Sequence, residues 1–367
     1  MGEAEAGQQA TRIGLFGIGL DAYWPQFEGL ECRLTGYIEQ VAAKLAAPGV
    51  EVVNLGLVDC PEKAVAAGHA FRRADVDLIF LYVATYALSA TVLPVVRRAR
   101  VPVVVLCLSP GPAIDYASFN ALGDRGRMTA EWLAWCQACS VPEIANVFQR
   151  SGVRFHQVTG MLDNDPQAWN EVSQWVEAAR VAGVMEHNRL GVMGHYYGGM
   201  LDIYSDLTRQ CAAFGGHAEI LEVDELSSLR REASDDEVAA RAALFRDVFD
   251  VQADCSEAEL SRAARTSVAL DCLVERHRLG SLAYYYAGSR NAENEETISS
   301  IILGTSLLTA RGVPVAGEME IKNAQAMKLL DAFGAGGSFS EFYALDFDAD
   351  VVLMGHDGPG HLAIAEG

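Results

Sequence analysis

VDLIFLYVATYALSATVLPVVRRARVPVVVLCL, residues 76–108, carries two apolar runs, 76–83 and 101–108, on either side of a helical stretch at 93–99. Both runs are short and rich in Val, Ile and Leu, the composition of strands buried on two faces. Working outward, RIGLFGI (12–18) precedes a helical run at 32–47, and VEVVNLG (50–56) precedes another at 62–74. Strands alternating with periodic helices indicate a parallel sheet covered on both sides. A long helix, DPQAWNEVSQWVEAARVAG (165–183), closes this block.

A second alternating block opens at NRLGVMG (188–194). It continues through a helix at 200–214, the strand HAEILEV (217–223), two acidic helices between about 235 and 278, and SLAYYYAG (281–288). A helix at 295–312, the strand VPVAGE (313–318) and a helix at 320–333 complete it. GSFSEFYALDF (337–347) and DADVVLM (348–354) then read as strands with no helix between them, a change of architecture. The expected fold class is α/β: two doubly wound, Rossmann-like parallel-sheet domains, 1–185 and 186–332, followed by the start of a β-rich domain at 333–367.

Composition narrows the function classes. Half of the 367 residues are apolar, enough for sizeable cores, and no window reads as a membrane span. Against 49 acidic residues stand 28 basic ones, and a net charge of −21 repels a phosphate backbone, so nucleic acid is excluded as a partner. The start, MGEAEAGQQATR, lacks a basic-then-apolar secretory pattern, and Ala6 stands where myristoylation wants Ser or Thr. The expected location is the cytoplasm. Eight cysteines are scattered, and only Cys136 and Cys139 in WCQAC have redox or zinc spacing. That stretch reads as helix interior, so the pair is expected to be structural.

Glycine loops give little. GIGLDA (17–22) fits a loose dinucleotide fingerprint, but YWPQ follows it and no acid caps the second strand. GVMGHYYGG (191–199) has the right context and the wrong spacing. GHDGPGHL (355–362) places His361 and Leu362 where a P-loop needs Lys and Ser or Thr. More informative are Glu318 in PVAGEMEIK, Glu341 in GGSFSEFYAL and His356 after DVVLMG, each at the end of an element. Two carboxylates and an imidazole in such positions suit a divalent cation that accepts mixed oxygen and nitrogen ligands. Taken singly, each also reads as a helix-end charge, an edge residue or a turn residue.

VAGEMEIKNAQAMKLL followed by GGSFSEFYALDFDADVVLMGH resembles the L-arabinose isomerase and L-fucose isomerase superfamily. The resemblance implies Glu318, Glu341 and His356 as metal ligands, with the two glutamates also serving as acid and base. It further implies a divalent metal such as Mn2+, a pentose or 6-deoxyhexose substrate, and proton transfer through an enediol. His361, Asp357, Glu320 and Lys322 would support the ligands or touch the sugar. A trimer-based homo-oligomer and a fourth ligand, a His on a C-terminal β-rich domain, are implied as well. The family's first-domain sugar contacts are replaced here by GIGLDAYWPQF, and YVATYALSA lacks the histidine expected after the third strand. The alternative is a non-catalytic sugar-binding or regulatory protein built on the same two α/β domains.

Overall fold

The computed structural model describes residues 10–288 and 290–365, so the reading of the N-terminal stretch around Ala6 lies outside the described residues. The chain divides into two compact units, residues 1–180 and 181–367, with the division inside the helix Pro166–Glu186. The expected α/β class with parallel sheets is what folds.

In the first unit, strands β1 (Thr11–Ile18), β2 (Val50–Val58), β3 (Leu78–Tyr82), β4 (Val103–Ser109) and β5 (Phe155–Met161) form one parallel sheet in the order β2-β1-β3-β4-β5. The two central runs explain why. Leu78, Phe80 and Tyr82 of β3, with Val104, Leu106 and Leu108 of β4, enter a core shared with Leu34, Ile38 and Val41 of the helix Leu30–Leu45. The alternate residues Ile79, Leu81, Val103 and Val105 face the opposite core, where Phe71 and Phe148 pack from other helices. Each strand is thus apolar on both pleats because helices cover both faces. β5 escapes sequence reading because it is an edge strand: His156, Gln157 and Thr159 leave it largely polar.

The second unit repeats the plan with β6 (Arg189–Gly194), β7 (His217–Leu221), β8 (Ser281–Tyr285) and β9 (Val315–Ala316), in the parallel order β7-β6-β8-β9. Leu282 and Tyr284 face a core with the helices Glu257–His277 and Ile302–Ala310, while Ala283 and Ala316 face the helix Ile321–Ala332. The helix expected at 200–214 is only Leu207–Phe214, because Asp206 caps it by accepting from the Arg209 amide. The last two strands, β10 (Glu341–Asp346) and β11 (Val351–Gly355), pair as an antiparallel hairpin.

One glycine fixes how β6 and β8 part at their carboxyl ends. Gly194 has φ +92°, and a Cβ there would lie 2.0 Å from the Tyr285 carbonyl oxygen, which accepts a bond from the His195 amide. Gly198, a few residues on, has open space around it. Gly194→Ala should therefore lower stability by at least about 2 kcal/mol, from left-handed strain plus the collision. Gly198→Ala should stay within about 0.5 kcal/mol of the parent. Urea denaturation of the two variants checks this, and equal midpoints would contradict it.

Candidate functional site

Parallel pairing brings the carboxyl ends of β6, β8 and β9 to one edge, the side of an open α/β sheet where ligands gather. β6 delivers His195, Tyr196 and Tyr197; β8 delivers Tyr285 and Tyr286; β9 delivers Glu318. The His195 ring meets Tyr285 edge-on at 5.4 Å and lies 5.9 Å from Tyr286. Its Nε2 accepts from the Ala287 amide at 3.3 Å, so Nδ1 carries the proton and donates to the Tyr196 carbonyl at 2.9 Å. Both ring nitrogens are thereby engaged, and His195 works as a brace between strand ends. Tyr197, 40% exposed, leans on Tyr285 with ring centroids 4.8 Å apart.

The backbone after β9 is unusual. Glu318 and Met319 both adopt left-handed conformations, φ +55° and +62°. Such conformations cost non-glycine residues about 1–3 kcal/mol each and persist only where the surroundings enforce them. Here the Met319 amide donates to the Tyr284 carbonyl and the Glu320 amide to the Gly317 carbonyl, both at 2.9 Å, while the Met319 side chain is buried. The result aims the Glu318 carboxylate at the sheet edge. Its Oε2 atom is buried and has no hydrogen-bond partner among the described residues.

The hairpin completes the group. His356 is 8% exposed, its ring packs at a tilt against Phe339 with centroids 4.1 Å apart, and its Nδ1 lies 3.3 Å from Glu341 Oε2. A Cβ on Gly317 would sit 3.5 Å from His356 Nε2, which places the imidazole beside Glu318. Gly358 lies so close beneath the ring that a Cβ would come within 2.3 Å of Nε2. Of the glycines in MGHDGPGH, Gly358 makes room for this histidine, while a Cβ on Gly355 would meet Tyr343 instead. Burial pushes the Glu318 carboxyl above its ordinary range, the Glu341 charge adds to the shift, and His356 opposes it. Burial likewise raises Glu320; Lys322 opposes that shift, while Asp202, Glu318 and Glu341 reinforce it. Burial raises the Tyr285 phenol, with Tyr197 and Glu318 contributing.

Of the residues singled out in the sequence, the structure brings Glu318, Glu341 and His356 together, with Glu320 near them. Lys322 is drawn aside to the Asp202 carbonyl. Asp357 is exposed at the hairpin end. His361 is buried under the Gly336 loop, where its Nδ1 accepts from the Ala363 amide at 3.2 Å. Sequence reading missed the Tyr197–Tyr285 pair, because YYY at a strand end looks like core. Among the described residues, no group of three or more His, Cys, Asp or Glu comes together in a way that could hold a metal ion. The donors expected for manganese therefore form no cage among the described residues.

No family model matches the chain, and no curated protein matches it. Among solved structures it is similar to an ABC transporter solute-binding protein from Agrobacterium vitis bound with alpha-D-tagatopyranose. The identity is 12%, covering 89% of this chain and 90% of that one, with a TM-score of 0.20. It is also similar to an ABC transporter solute-binding protein from Burkholderia multivorans with an unknown ligand, at 11% identity, 89% and 94% coverage, and a TM-score of 0.18. At these scores the likeness carries no argument about what this chain binds. The comparisons nevertheless correct the family assignment: no model of the arabinose and fucose isomerases matches, and both structures are solute-binding proteins. Membership of that superfamily is withdrawn. So are aldose–ketose isomerisation and the manganese dependence that came with it.

The raised Glu318 pKa has a stability consequence. The folded protein holds this proton more tightly than the unfolded chain, whose value is near the ordinary ~4.3. The ionised group thus costs stability above its folded pKa, and the cost fades as pH falls through that value. Glu318→Gln should be more stable than the parent at neutral pH, and the difference should shrink on acidification. Paired thermal denaturation between pH 7 and pH 4 measures it; a difference that grows on acidification would contradict the assigned environment.

Proposed function

We propose that the protein binds a neutral, polyhydroxylated small molecule of sugar size at the carboxyl edge of the second sheet, without turning it over. The observation that carries this reading is the buried, unpartnered Oε2 of Glu318, held on a strained backbone beside Glu341 and His356. An unsatisfied buried acceptor costs about 1–3 kcal/mol, and a ligand hydroxyl that donates to it removes that cost. Tyr197 and Tyr285 add flat apolar faces of the kind that pack against the C–H surfaces of a sugar ring. Glu318, Glu320 and Glu341 together make the edge acidic, which disfavours phosphorylated or carboxylated ligands. A carrier or a sensor for a neutral sugar fits this arrangement, and both bind without chemistry.

Titration calorimetry with neutral pentoses and hexoses, beside the corresponding sugar phosphates, tests the proposal. At least one neutral sugar should bind and the phosphates should not. Glu318→Gln should weaken binding roughly 10- to 100-fold, the value of a hydrogen bond to a charged acceptor. Binding that favours the phosphates, or that is unchanged in Glu318→Gln, would overturn it. Affinity should also fall on acidification, with a midpoint above the ordinary carboxylate range, as Glu318 takes up its proton.

A further inference from the structure

The WCQAC stretch is not helix interior. The helix Arg125–Ala134 ends before it, the next helix begins at Val141, and Cys136 and Cys139 fall in the turn between them. The distinction matters chemically. On a continuous helix, residues three apart hold their Cβ atoms about 5–6 Å from each other, whereas a disulfide needs about 3.5–4.5 Å. Here the turn takes both residues off that helical spacing, with Cys139 close enough to Cys136 to bear on its ionisation.

The turn is anchored. Gln137 donates to the Ala84 carbonyl at 3.0 Å and to the Ala134 carbonyl at 2.7 Å. Ser140 accepts from the Ala87 amide at 2.9 Å and donates to the Ala87 carbonyl at 3.0 Å. Thr85 donates to the Leu133 carbonyl at 2.7 Å. These bonds fix the turn against the loop that follows β3, at the carboxyl edge of the first sheet. Tyr23, from the loop that follows β1, packs against the same core as Leu133 and Ala134, the residues that lead into the turn. The dithiol therefore sits beside β1 and β3, the two strands between which the winding of the sheet reverses direction. Cys139 is exposed and Cys136 is buried.

We propose that Cys136 and Cys139 are an oxidisable pair that closes into a reversible intramolecular disulfide by exchange with a small-molecule disulfide such as oxidised glutathione. The exposed Cys139, as thiolate, attacks one glutathione sulfur; the S–S bond breaks and one glutathione thiolate leaves. Cys136 then loses its proton and attacks the Cys139 sulfur, releasing the second glutathione. The protein gives up two electrons and two protons, and oxidised glutathione becomes two molecules of reduced glutathione. Burial and the neighbouring Cys139 push the Cys136 thiol up to about 12. That order of events follows, because the buried thiol is a poor first attacker, and its neighbour stops opposing ionisation once it is in the mixed disulfide.

The test uses the full chain equilibrated with excess oxidised glutathione, alkylated with N-ethylmaleimide, digested and weighed. The peptide spanning residues 136–139 should be two hydrogens lighter and free of maleimide, and dithiothreitol should restore both alkylation sites. Exposed Cys32 and Cys255 should take up maleimide or glutathione singly. Cys136→Ser should trap a glutathione adduct on Cys139, at least tenfold more abundant than in the parent. Cys139→Ser, a change at an exposed position, should leave Cys136 reduced and unmodified even if the first variant folds poorly. Maleimide on both cysteines after equilibration, separate glutathione adducts on each, or pairing of either with another cysteine would overturn the proposal.

Discussion

Parallel pairing is the constraint on which the molecule depends. A sheet of parallel strands needs a crossover between neighbours, the crossovers here are helical, and the helices bury both faces. All strands then end on the same side. In the second sheet this collects His195, Tyr285 and Glu318 at one edge although they are far apart in the chain. The first sheet does the same for the loops after β1 and β3, and the turn that carries the two cysteines is anchored to the second of these. Both proposed sites follow from this geometry.

The edge of the second sheet is built against stability. Two successive residues in left-handed conformations, a carboxylate pushed toward neutrality by burial, and an unpartnered acceptor each raise the energy of the folded chain. Buried Met319 and the amide bonds to Tyr284 and Gly317 hold the segment in place. An arrangement that is costly and yet over-determined by its neighbours is what a preorganised binding site requires. The acidic character then selects: hydroxyl donors gain from it and anions do not.

The architecture was largely legible in the residues. The runs 76–83 and 101–108 announce doubly covered strands, and the structure pairs β3 and β4 from within them. β5 was not legible, because an edge strand with His156 and Gln157 lacks the apolar signal. The turn at Cys136 was hidden as well: AEWLAWCQAC has good helix propensity, and bonds from Gln137 and Ser140 to a loop some fifty residues earlier break it. Glu318, Glu341 and His356 were singled out by their places at element ends, and the fold does bring them together. The chemistry attached to them came from a family resemblance that the comparisons do not return. Acids and histidines at strand ends recur wherever an α/β sheet presents its carboxyl edge, so their spacing locates a site better than it names a reaction.

A crystal of the protein soaked in the neutral sugar that binds most tightly is the most direct measurement. The account predicts ligand density at the carboxyl edge of the second sheet, with a hydroxyl within hydrogen-bond distance of Glu318 Oε2 and the ring against Tyr197 and Tyr285. Density at another place, with Glu318 Oε2 still unpartnered or bonded to the protein itself, would contradict it.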